Sequence, residues 1–178
     1  MSRDLNDLTP NFKPKVEELI RLTNEAGYPM RPFFTLRSPF EQAELWRQSR
    51  TIEQINSKIT EFENAGADFL VHCLQSVGPH HGAHVTNAPP GYSWHQWGEA
   101  VDCFWLVDNK AEWSSRKKIN DNNGYRVYAD IATSLGLNAG GFWHSIKDWP
   151  HVQLRKNASP RSAFSISQVN EQMSRQFG

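Results

Sequence analysis

An aspartate within an apolar, alternating stretch constrains this chain more than any other feature. Residues 100–105 have the sequence Ala-Val-Asp-Cys-Phe-Trp, and such alternation predicts a β-strand with Asp102 on the face opposite its apolar neighbours. A carboxylate buried in a strand must be paired with a cation or bound to a metal ion. Asp102 is therefore predicted to bind a metal ion or to pair with a cation such as Arg37 or Lys147.

Two histidines can join Asp102 in one metal site. His95 precedes the strand, and Gly98 lets the chain turn between the histidine and the aspartate. His151 begins a second predicted strand, residues 151–155. A catalytic zinc ion typically takes three protein ligands from histidine nitrogen and carboxylate oxygen, and keeps one position open. We therefore predict that His95, Asp102 and His151 bind one zinc ion.

A second carboxylate, that of Asp148, lies three residues before His151. Pro150 restricts Trp149 to an extended conformation, so the spacing between Asp148 and His151 is predicted to be rigid. Asp148 would then lie beside the metal ion without binding it. A carboxylate in that position can take a proton from water and deliver it to a leaving amine, which is the chemistry of amide hydrolysis.

Two motifs together resemble the M15 zinc peptidases. The first runs S-x-H-x-x-G-x-A-x-D from Ser93 to Asp102, and the second runs D-x-P-H from Asp148 to His151. This family includes D-Ala-D-Ala carboxypeptidases and the L-alanyl-D-glutamate endopeptidases of phage lysins. The resemblance is closest to the endopeptidase branch, where an aspartate three residues before the last histidine replaces a glutamate. It implies zinc at His95, Asp102 and His151, with Asp148 as the catalytic acid/base.

The resemblance also implies residues that face the substrate. Residues 36–42, Leu-Arg-Ser-Pro-Phe-Glu-Gln, are similar to the family's upstream motif, which implies such a role for Arg37 and Gln42. Arg37 could bind a stem-peptide carboxylate with two parallel hydrogen bonds, and an ion pair within the fold explains it equally well. Ser93 belongs to the first motif. Trp143 is a candidate for lining the cleft, although tryptophan is often a core residue.

Two segments depart from the lysins. The lysins commonly carry Glu-Trp before the double glycine and Asp-Trp after it, whereas this chain has Asn138-Ala139 and Phe142-Trp143. The segment 68–92 is also longer than in compact lysins. Because both departures lie where substrate would enter, they leave the identity of the cleaved bond open.

The longer segment ends in a loop, residues 78–92, that is rich in glycine, proline and histidine. Its three histidines are His80, His81 and His84. No carboxylate or cysteine accompanies them, so a mobile polar loop is favoured over a second metal site.

Helical periodicity and capping patterns predict an α+β fold. Helices are predicted over residues 14–26, after the capping boxes at Ser38 and Thr51, from Asp68 to Val77, over residues 124–135 and, weakly, around residues 169–173. Strands are predicted over residues 33–37, 100–105, 140–143 and 151–155. Because no regular βαβ repeat appears, a small antiparallel sheet that carries the zinc site and is flanked by helices is favoured over a doubly wound sheet.

The domain organisation follows from length and from the resemblance. A chain of 178 residues fits one domain with a sizeable core. Residues 1–158 are predicted to form the catalytic domain, with the hedgehog/DD-peptidase-like fold that the resemblance implies. Residues 159–178 are predicted to form a C-terminal tail that can hold a short helix.

Composition excludes several classes of partner. Lys+Arg and Asp+Glu both number 19, so no basic face for nucleic acid is expected. No apolar run approaches the roughly 18 residues of a membrane span, and residues 1–7 lack the apolar core of a signal peptide. The protein is predicted to be a monomer made in the cytoplasm, which acts on the cell wall after release or export. Cys73 and Cys103 are predicted to be buried thiols, with a single disulfide as the alternative.

Three functions are consistent with these features. The first is a zinc peptidase that hydrolyses peptidoglycan stem peptides at the L-Ala–D-Glu bond, as in a phage endolysin. The second is a D-Ala-D-Ala carboxypeptidase with the same metal chemistry. The third is a zinc-stabilised binding domain without turnover, against which the presence of Asp148 argues.

Overall fold

The computed structural model describes residues 1–78, 81–144 and 146–178. The regular structure of these residues consists of five antiparallel strands and six α-helices. The predicted α+β class with one small antiparallel sheet is confirmed. Within this fold the chain forms two compact units. The first consists of Met1–Leu36 and Trp97–Lys156, and the second of Arg37–Gln96 and Asn157–Gly178.

Helices and strands alternate irregularly along the chain. In chain order they are α1 (Lys13–Glu25), β1 (Met30–Phe34), α2 (Pro39–Arg47), α3 (Ile52–Asn64), α4 (Asp68–Ser76), β2 (Ala100–Val107), β3 (Lys110–Glu112), α5 (Gly124–Ser134), β4 (Asn138–Ala139), β5 (His151–Gln153) and α6 (Ile166–Phe177). Short 3₁₀ turns lie at Leu5–Asp7, Trp94–Trp97, Gly140–Phe142 and Pro160–Ser162. Among the residues described, no helix combines the length and the apolar character that a membrane span requires.

Strand β2 is the centre of the sheet in the first unit. It pairs with β1, β3 and β5, and β5 pairs in turn with β4. The predicted alternation in β2 is confirmed, because Val101, Cys103 and Trp105 are fully buried in the hydrophobic core. Asp102 lies on the opposite face of the strand, which leaves its carboxylate outside that core.

Helices α1 and α5 cover the core face of the sheet. Val16 and Leu19 of α1 and Tyr125 and Tyr128 of α5 have almost no exposed surface, as their spacing at three or four residues predicts. Full burial of one large apolar side chain contributes about 1.5–3 kcal/mol. This packing therefore holds β2, and with it Asp102, in a fixed position.

The second unit contains α2, α3, α4 and α6. The capping boxes predicted at Ser38 and Thr51 are confirmed. The prediction that Asp68 caps α4 is wrong, because Ala67 occupies the cap position and Asp68 is the first helical residue. There its negative charge still interacts favourably with the helix dipole. The weak helix predicted around residues 169–173 is longer, because a capping box at Ser165 starts α6 earlier.

Strand lengths depart from the predictions because cross-strand partners decide them. Strand β1 starts and ends three residues earlier than predicted, and its pairing aligns Met30 with Trp105. Only Asn138 and Ala139 form β4, and a 3₁₀ turn follows where a strand is predicted over residues 140–143. Residues 151–153 are those that find partners on β2 and β4, so β5 ends there. The domain boundary at residue 158 stays a prediction.

Both cysteines are free and buried, as predicted. Burial raises the pKa of the Cys73 thiol and of the Cys103 thiol to about 12 in each case. Both sulfurs therefore stay protonated at neutral pH, where a thiol is a poor metal ligand or nucleophile.

Candidate metal centre

Asp102 and His151 face one another across β2 and β5. The antiparallel register aligns Asp102 with His151 and Val101 with Val152, and directly opposed residues share a face of the sheet. Because the two valines belong to the hydrophobic core, the aspartate and the histidine lie on the other face. Nδ1 of His151 is 2.9 Å from Oδ1 of Asp102.

His95 reaches the same group through a sharp turn before β2. It lies in the 3₁₀ turn Trp94–Trp97 and is buried. Gly98 has a φ of +66°, a left-handed conformation that favours glycine. A Cβ atom at Gly98 would also lie 2.9 Å from the backbone oxygen of Asp7. Both constraints support the predicted role of Gly98 in turning the chain between His95 and Asp102.

The side chains of His95, Asp102 and His151 form a group that could bind a metal ion. One ligand atom from each lies within 4.8 Å of those from the other two. Two imidazoles and one carboxylate match the donor set of a catalytic zinc site, with three protein ligands and one open position. In the part of the chain that the structure describes, no other cluster of histidine, cysteine and acidic residues has this character. The residues present therefore fit zinc.

Both ring nitrogens of His151 have polar partners. Nε2 lies 3.1 Å from Oε1 of Gln153, on the side of the ring away from Asp102. Burial by itself lowers the pKa of His151, but the hydrogen bond and charge of Asp102, with the charge of Asp148, raise it more. The net shift of the pKa is upward. A raised pKa strengthens the competition of protons with a metal ion for this histidine.

Asp148 is held next to His151 by a closed turn. The His151 N–H donates to the Asp148 carbonyl at 3.2 Å, and the Asp148 N–H donates to the Gly140 carbonyl at 3.1 Å. These two bonds set the spacing between Asp148 and His151, for which the sequence predicts rigidity. Pro150 is also bonded to β2, because its carbonyl accepts from the Cys103 N–H at 3.0 Å. The negative charge of Asp148 contributes to the raised pKa of His151.

Comparison with known proteins decides the family. A family model described as VanY, D-alanyl-D-alanine carboxypeptidase, matches residues 5–140. The chain belongs to the VanY family. This confirms the resemblance to M15 peptidases that the two motifs indicate. The matched region contains His95 and Asp102 but ends before Asp148 and His151, so the β2–β5 register is what associates His151 with Asp102.

Two characterised proteins are similar to this VanY-family chain. It is 26% identical over 155 residues to the peptidoglycan L-alanyl-D-glutamate endopeptidase CwlK of Bacillus subtilis, a match that covers 85% of this chain and 76% of CwlK. The crystal structure of the Serratia marcescens L-Ala D-Glu endopeptidase ChiX aligns with a TM-score of 0.43 and 20% identity. That alignment covers 85% of this chain and 83% of ChiX.

Gly140 lies against the backbone of Asp148 and the side chain of His151, where there is no room for a Cβ atom. A Cβ atom at this position would lie 2.4 Å from the backbone oxygen of Asp148 and 3.1 Å from Cβ of His151. We expect Gly140→Ala to lower the free energy of unfolding by about 1–3 kcal/mol, as overpacking does, and to weaken zinc binding. Urea unfolding and chelator competition measure the two effects.

Gly78→Ala is the matched control, because a Cβ atom there meets nothing within 4 Å. It should unfold within about 1 kcal/mol of the wild type. If Gly140→Ala unfolds at the same urea concentration as this control, close packing of Gly140 against the 148–151 turn is not needed.

Arg37 and Gln42 are hydrogen-bonded to each other within the second unit. Nη1 of Arg37 donates to Oε1 of Gln42 at 2.9 Å. The Gln42 amide nitrogen donates to the Ala88 carbonyl at 2.6 Å and to the Thr86 hydroxyl at 3.2 Å. Gln42 is fully buried, so these contacts favour a role in orienting Arg37. Direct substrate binding by either residue stays a prediction.

Ser93 and Trp143 each contact a predicted ligand histidine. The Ser93 hydroxyl accepts from the His95 N–H at 3.4 Å, at the start of the 3₁₀ turn. The Trp143 ring lies 5.1 Å from the His151 ring, centroid to centroid, and its Nε1 donates to Oδ1 of Asn138 at 3.0 Å. The Ser93 contact is with the backbone of His95, and the Trp143 contact is with the ring of His151, while contact of Ser93 or Trp143 with substrate stays a prediction.

The histidine-rich loop is hydrogen-bonded where the structure describes it. Nδ1 of His84 accepts from Arg50 at 2.9 Å, and its Nε2 donates to Oδ1 of Asn87 at 3.0 Å. With both ring nitrogens engaged, His84 is a structural residue of the loop. His80 lies outside the described residues.

Two residues near the centre have contacts that the sequence patterns do not predict. The buried carboxylate of Glu99 receives two hydrogen bonds from Arg155, at 2.6 and 3.0 Å. Gln153 contacts His151 directly. A signal for Gln153 exists, because a polar residue two positions after a predicted ligand histidine on a strand shares its face. No comparable signal marks the pair of Glu99 and Arg155.

Proposed function

We propose that this chain is a zinc-dependent peptidase that hydrolyses peptidoglycan stem peptides at the L-Ala–D-Glu bond. The observation behind the proposal is the group of His95, Asp102 and His151, whose ligand atoms lie within 4.8 Å of one another. Membership of the VanY family supports peptide hydrolysis. Similarity to CwlK, a peptidoglycan L-alanyl-D-glutamate endopeptidase, supports the choice of bond.

His95, Asp102 and His151 would hold the zinc ion. When bound, zinc supplies Lewis-acid chemistry, which polarises a peptide carbonyl and makes water a stronger nucleophile at neutral pH. Three protein ligands leave the open position that this chemistry needs. Burial of both histidines keeps bulk water from competing for the imidazole nitrogens.

Asp148 would move the proton. Its carboxylate takes a proton from the attacking water while the new C–O bond forms at the peptide carbonyl. It then delivers that proton to the amine nitrogen as the C–N bond breaks, so its own protonation state is restored. Two backbone hydrogen bonds of Asp148 support this assignment because they hold its main chain in place. One joins it to His151, and the other runs from its N–H to the Gly140 carbonyl.

Arg37 would bind a carboxylate of the stem peptide. A guanidinium with two parallel donors matches a carboxylate well, and the hydrogen bond to buried Gln42 orients it. Ser93 and Trp143 would contact the peptide beside His95 and His151, the histidines that they already touch. The protein would act on the cell wall as a monomer, after export or after release as an endolysin.

A second reaction is supported by the family description, D-alanyl-D-alanine carboxypeptidase. In that case the same metal group and Asp148 would hydrolyse the terminal peptide bond, and Arg37 would bind the C-terminal carboxylate. The chemistry at the cleaved bond is the same in both reactions. The two differ only in which bond of the stem peptide lies at the centre.

Purified, zinc-loaded protein should be incubated with muropeptides that carry pentapeptide stems, and new termini identified by mass spectrometry. A free N-terminal D-Glu supports the endopeptidase, and released D-Ala supports the carboxypeptidase instead. A chelator should abolish either product, and added zinc should restore it. Zinc-loaded protein that yields neither product would contradict the peptidase proposal and favour a zinc-stabilised binding domain.

A further inference from the structure

The amide of Gln153 has only one orientation that satisfies its neighbours. Gln153 lies two residues after His151 on β5, is 1% exposed, and its Nε2 is 2.7 Å from the backbone oxygen of Arg155. A carbonyl oxygen can only accept a hydrogen bond, so the NH₂ group of Gln153 must face Arg155. The amide oxygen, Oε1, must therefore face His151.

This orientation determines which nitrogen of His151 keeps its proton when a metal ion binds. Oε1 of Gln153 can only accept, and it lies 3.1 Å from Nε2 of His151, so Nε2 must donate. The Asp102 carboxylate also only accepts, so Nδ1, at 2.9 Å from Oδ1, donates to it in the absence of a metal ion. When a metal ion replaces the Nδ1 proton, Nε2 keeps its own, and the lone pair on Nδ1 points toward the other predicted ligands.

We propose that Gln153 is a positioning residue, which holds the Nε2–H tautomer of His151 and so presents Nδ1 to the metal ion. This inference rests on the zinc site of the proposed function. Metal-binding histidines usually donate their second N–H to a carbonyl or carboxylate group, which sets the tautomer and the ring orientation. Gln153 is the side chain that supplies this acceptor.

A second layer of hydrogen bonds keeps the Gln153 amide in place. The Arg155 carbonyl also accepts from Nδ2 of Asn138 at 3.2 Å, and Asn138 is paired with Gln153 across β4 and β5. Oδ1 of Asn138 accepts from Nε1 of Trp143 at 3.0 Å, and the Trp143 ring packs 5.1 Å from that of His151. The His151 ring is thus held at Nε2 by Gln153 and along one side by Trp143.

The Arg155 backbone is itself anchored by its side chain. The guanidinium donates to both carboxylate oxygens of Glu99, at 2.6 and 3.0 Å, and the Glu99 carbonyl accepts from Leu154 N–H at 2.9 Å. Rotation of the Gln153 amide would therefore place its oxygen against a fixed carbonyl oxygen. This repulsion excludes the flipped amide, which would favour the wrong tautomer.

The wild-type protein tests the tautomer directly. In zinc-loaded protein with ¹⁵N-labelled histidine, long-range proton–nitrogen NMR correlations should show His151 protonated at Nε2 and metal-bound at Nδ1. Zinc bound through Nε2 would overturn this inference and leave the proposed function intact. Failure of the wild type to bind zinc would overturn both.

Variants at position 153 test the positioning role. Gln153→Met keeps the size of the side chain and removes the acceptor, and we expect zinc affinity to fall by about 10- to 100-fold. Gln153→Glu keeps an acceptor for Nε2–H, but its second oxygen faces the Arg155 carbonyl that now accepts from Gln153 at 2.7 Å, so its zinc affinity should lie between those of the wild type and Gln153→Met. Chelator competition measures both, and the NMR experiment on the Met variant should show loss of the single Nε2–H tautomer.

Thr23→Val is the control for the loss of a buried hydrogen bond elsewhere in the same unit. Thr23 is fully buried, and its hydroxyl donates to the Ile20 carbonyl at 2.9 Å. This variant should bind zinc as the wild type does. If Gln153→Met loses no more affinity than Thr23→Val, or if it binds zinc with the wild-type tautomer, Gln153 is not a positioning residue. Should Gln153→Met fail to fold, the NMR experiment on the wild type and the zinc affinity of Gln153→Glu test the positioning role instead.

Discussion

Asp148→Asn should lower the rate of muropeptide hydrolysis by about 10²- to 10⁴-fold, the usual contribution of a general acid/base, with zinc still bound. Asparagine keeps the size of the side chain and the backbone contacts of the 148–151 turn, including the 3.1 Å hydrogen bond from residue 148 to the Gly140 carbonyl. It cannot accept and return a proton at neutral pH. The expected loss is therefore in turnover, measured by product formation, while zinc content stays at the wild-type level.

The matched control is Asp130→Asn, at an exposed position on α5. It removes one carboxylate from the same unit without touching the metal centre, so turnover should be unchanged. Full activity of Asp148→Asn would show that another group moves the proton. Loss of zinc from Asp148→Asn would instead assign Asp148 as a ligand, and would remove its role as the acid/base.

Asp102→Asn should abolish zinc binding and, with it, all hydrolysis above the level of the chelated wild type. The neutral amide fits the strand but removes the negative charge that favours a cation at this position. It also removes the carboxylate that helps raise the pKa of His151. Loss of a hydrogen-bond partner of a metal ligand weakens metal binding by about 10- to 100-fold, and loss of a direct ligand should exceed that.

Two measurements check this prediction. Zinc content after dialysis, by elemental analysis, should fall to background in Asp102→Asn and stay at one equivalent in Asp130→Asn. Added zinc should raise the unfolding temperature of the wild type, because it binds the folded state, and should leave that of Asp102→Asn unchanged. Full zinc occupancy in Asp102→Asn would exclude Asp102 from the ligand set.

Local patterns predict the helices well because each depends on neighbouring residues. The capping boxes at Ser38 and Thr51 start α2 and α3 at the predicted positions, since the bonds involved span only three residues. Strand ends are predicted poorly. Strand β1 begins at Met30 because of its pairing with Trp105, and no pattern within residues 30–37 specifies that distant partner.

The sequence by itself determined which side chains were predicted as metal ligands, and it limited the distance between two of them, His95 and Asp102. Alternation in residues 100–105 put Asp102 on the face away from the core, and the short spacing to His95, with Gly98 between them, limited how far apart those two could lie. Both are local consequences of strand geometry and of glycine's conformational range.

Only the tertiary structure decided the place of His151, the partner of its Nε2 atom and the turn that holds Asp148. His151 is 49 positions from Asp102, and the two meet because β5 pairs with β2 in one register, whereas a slip by one residue would have turned the histidine to the other face. Gln153 and Trp143 contact its ring, and Asn138 contacts Trp143 in turn. Long-range strand pairing depends on the whole buried core, which no short stretch of sequence contains.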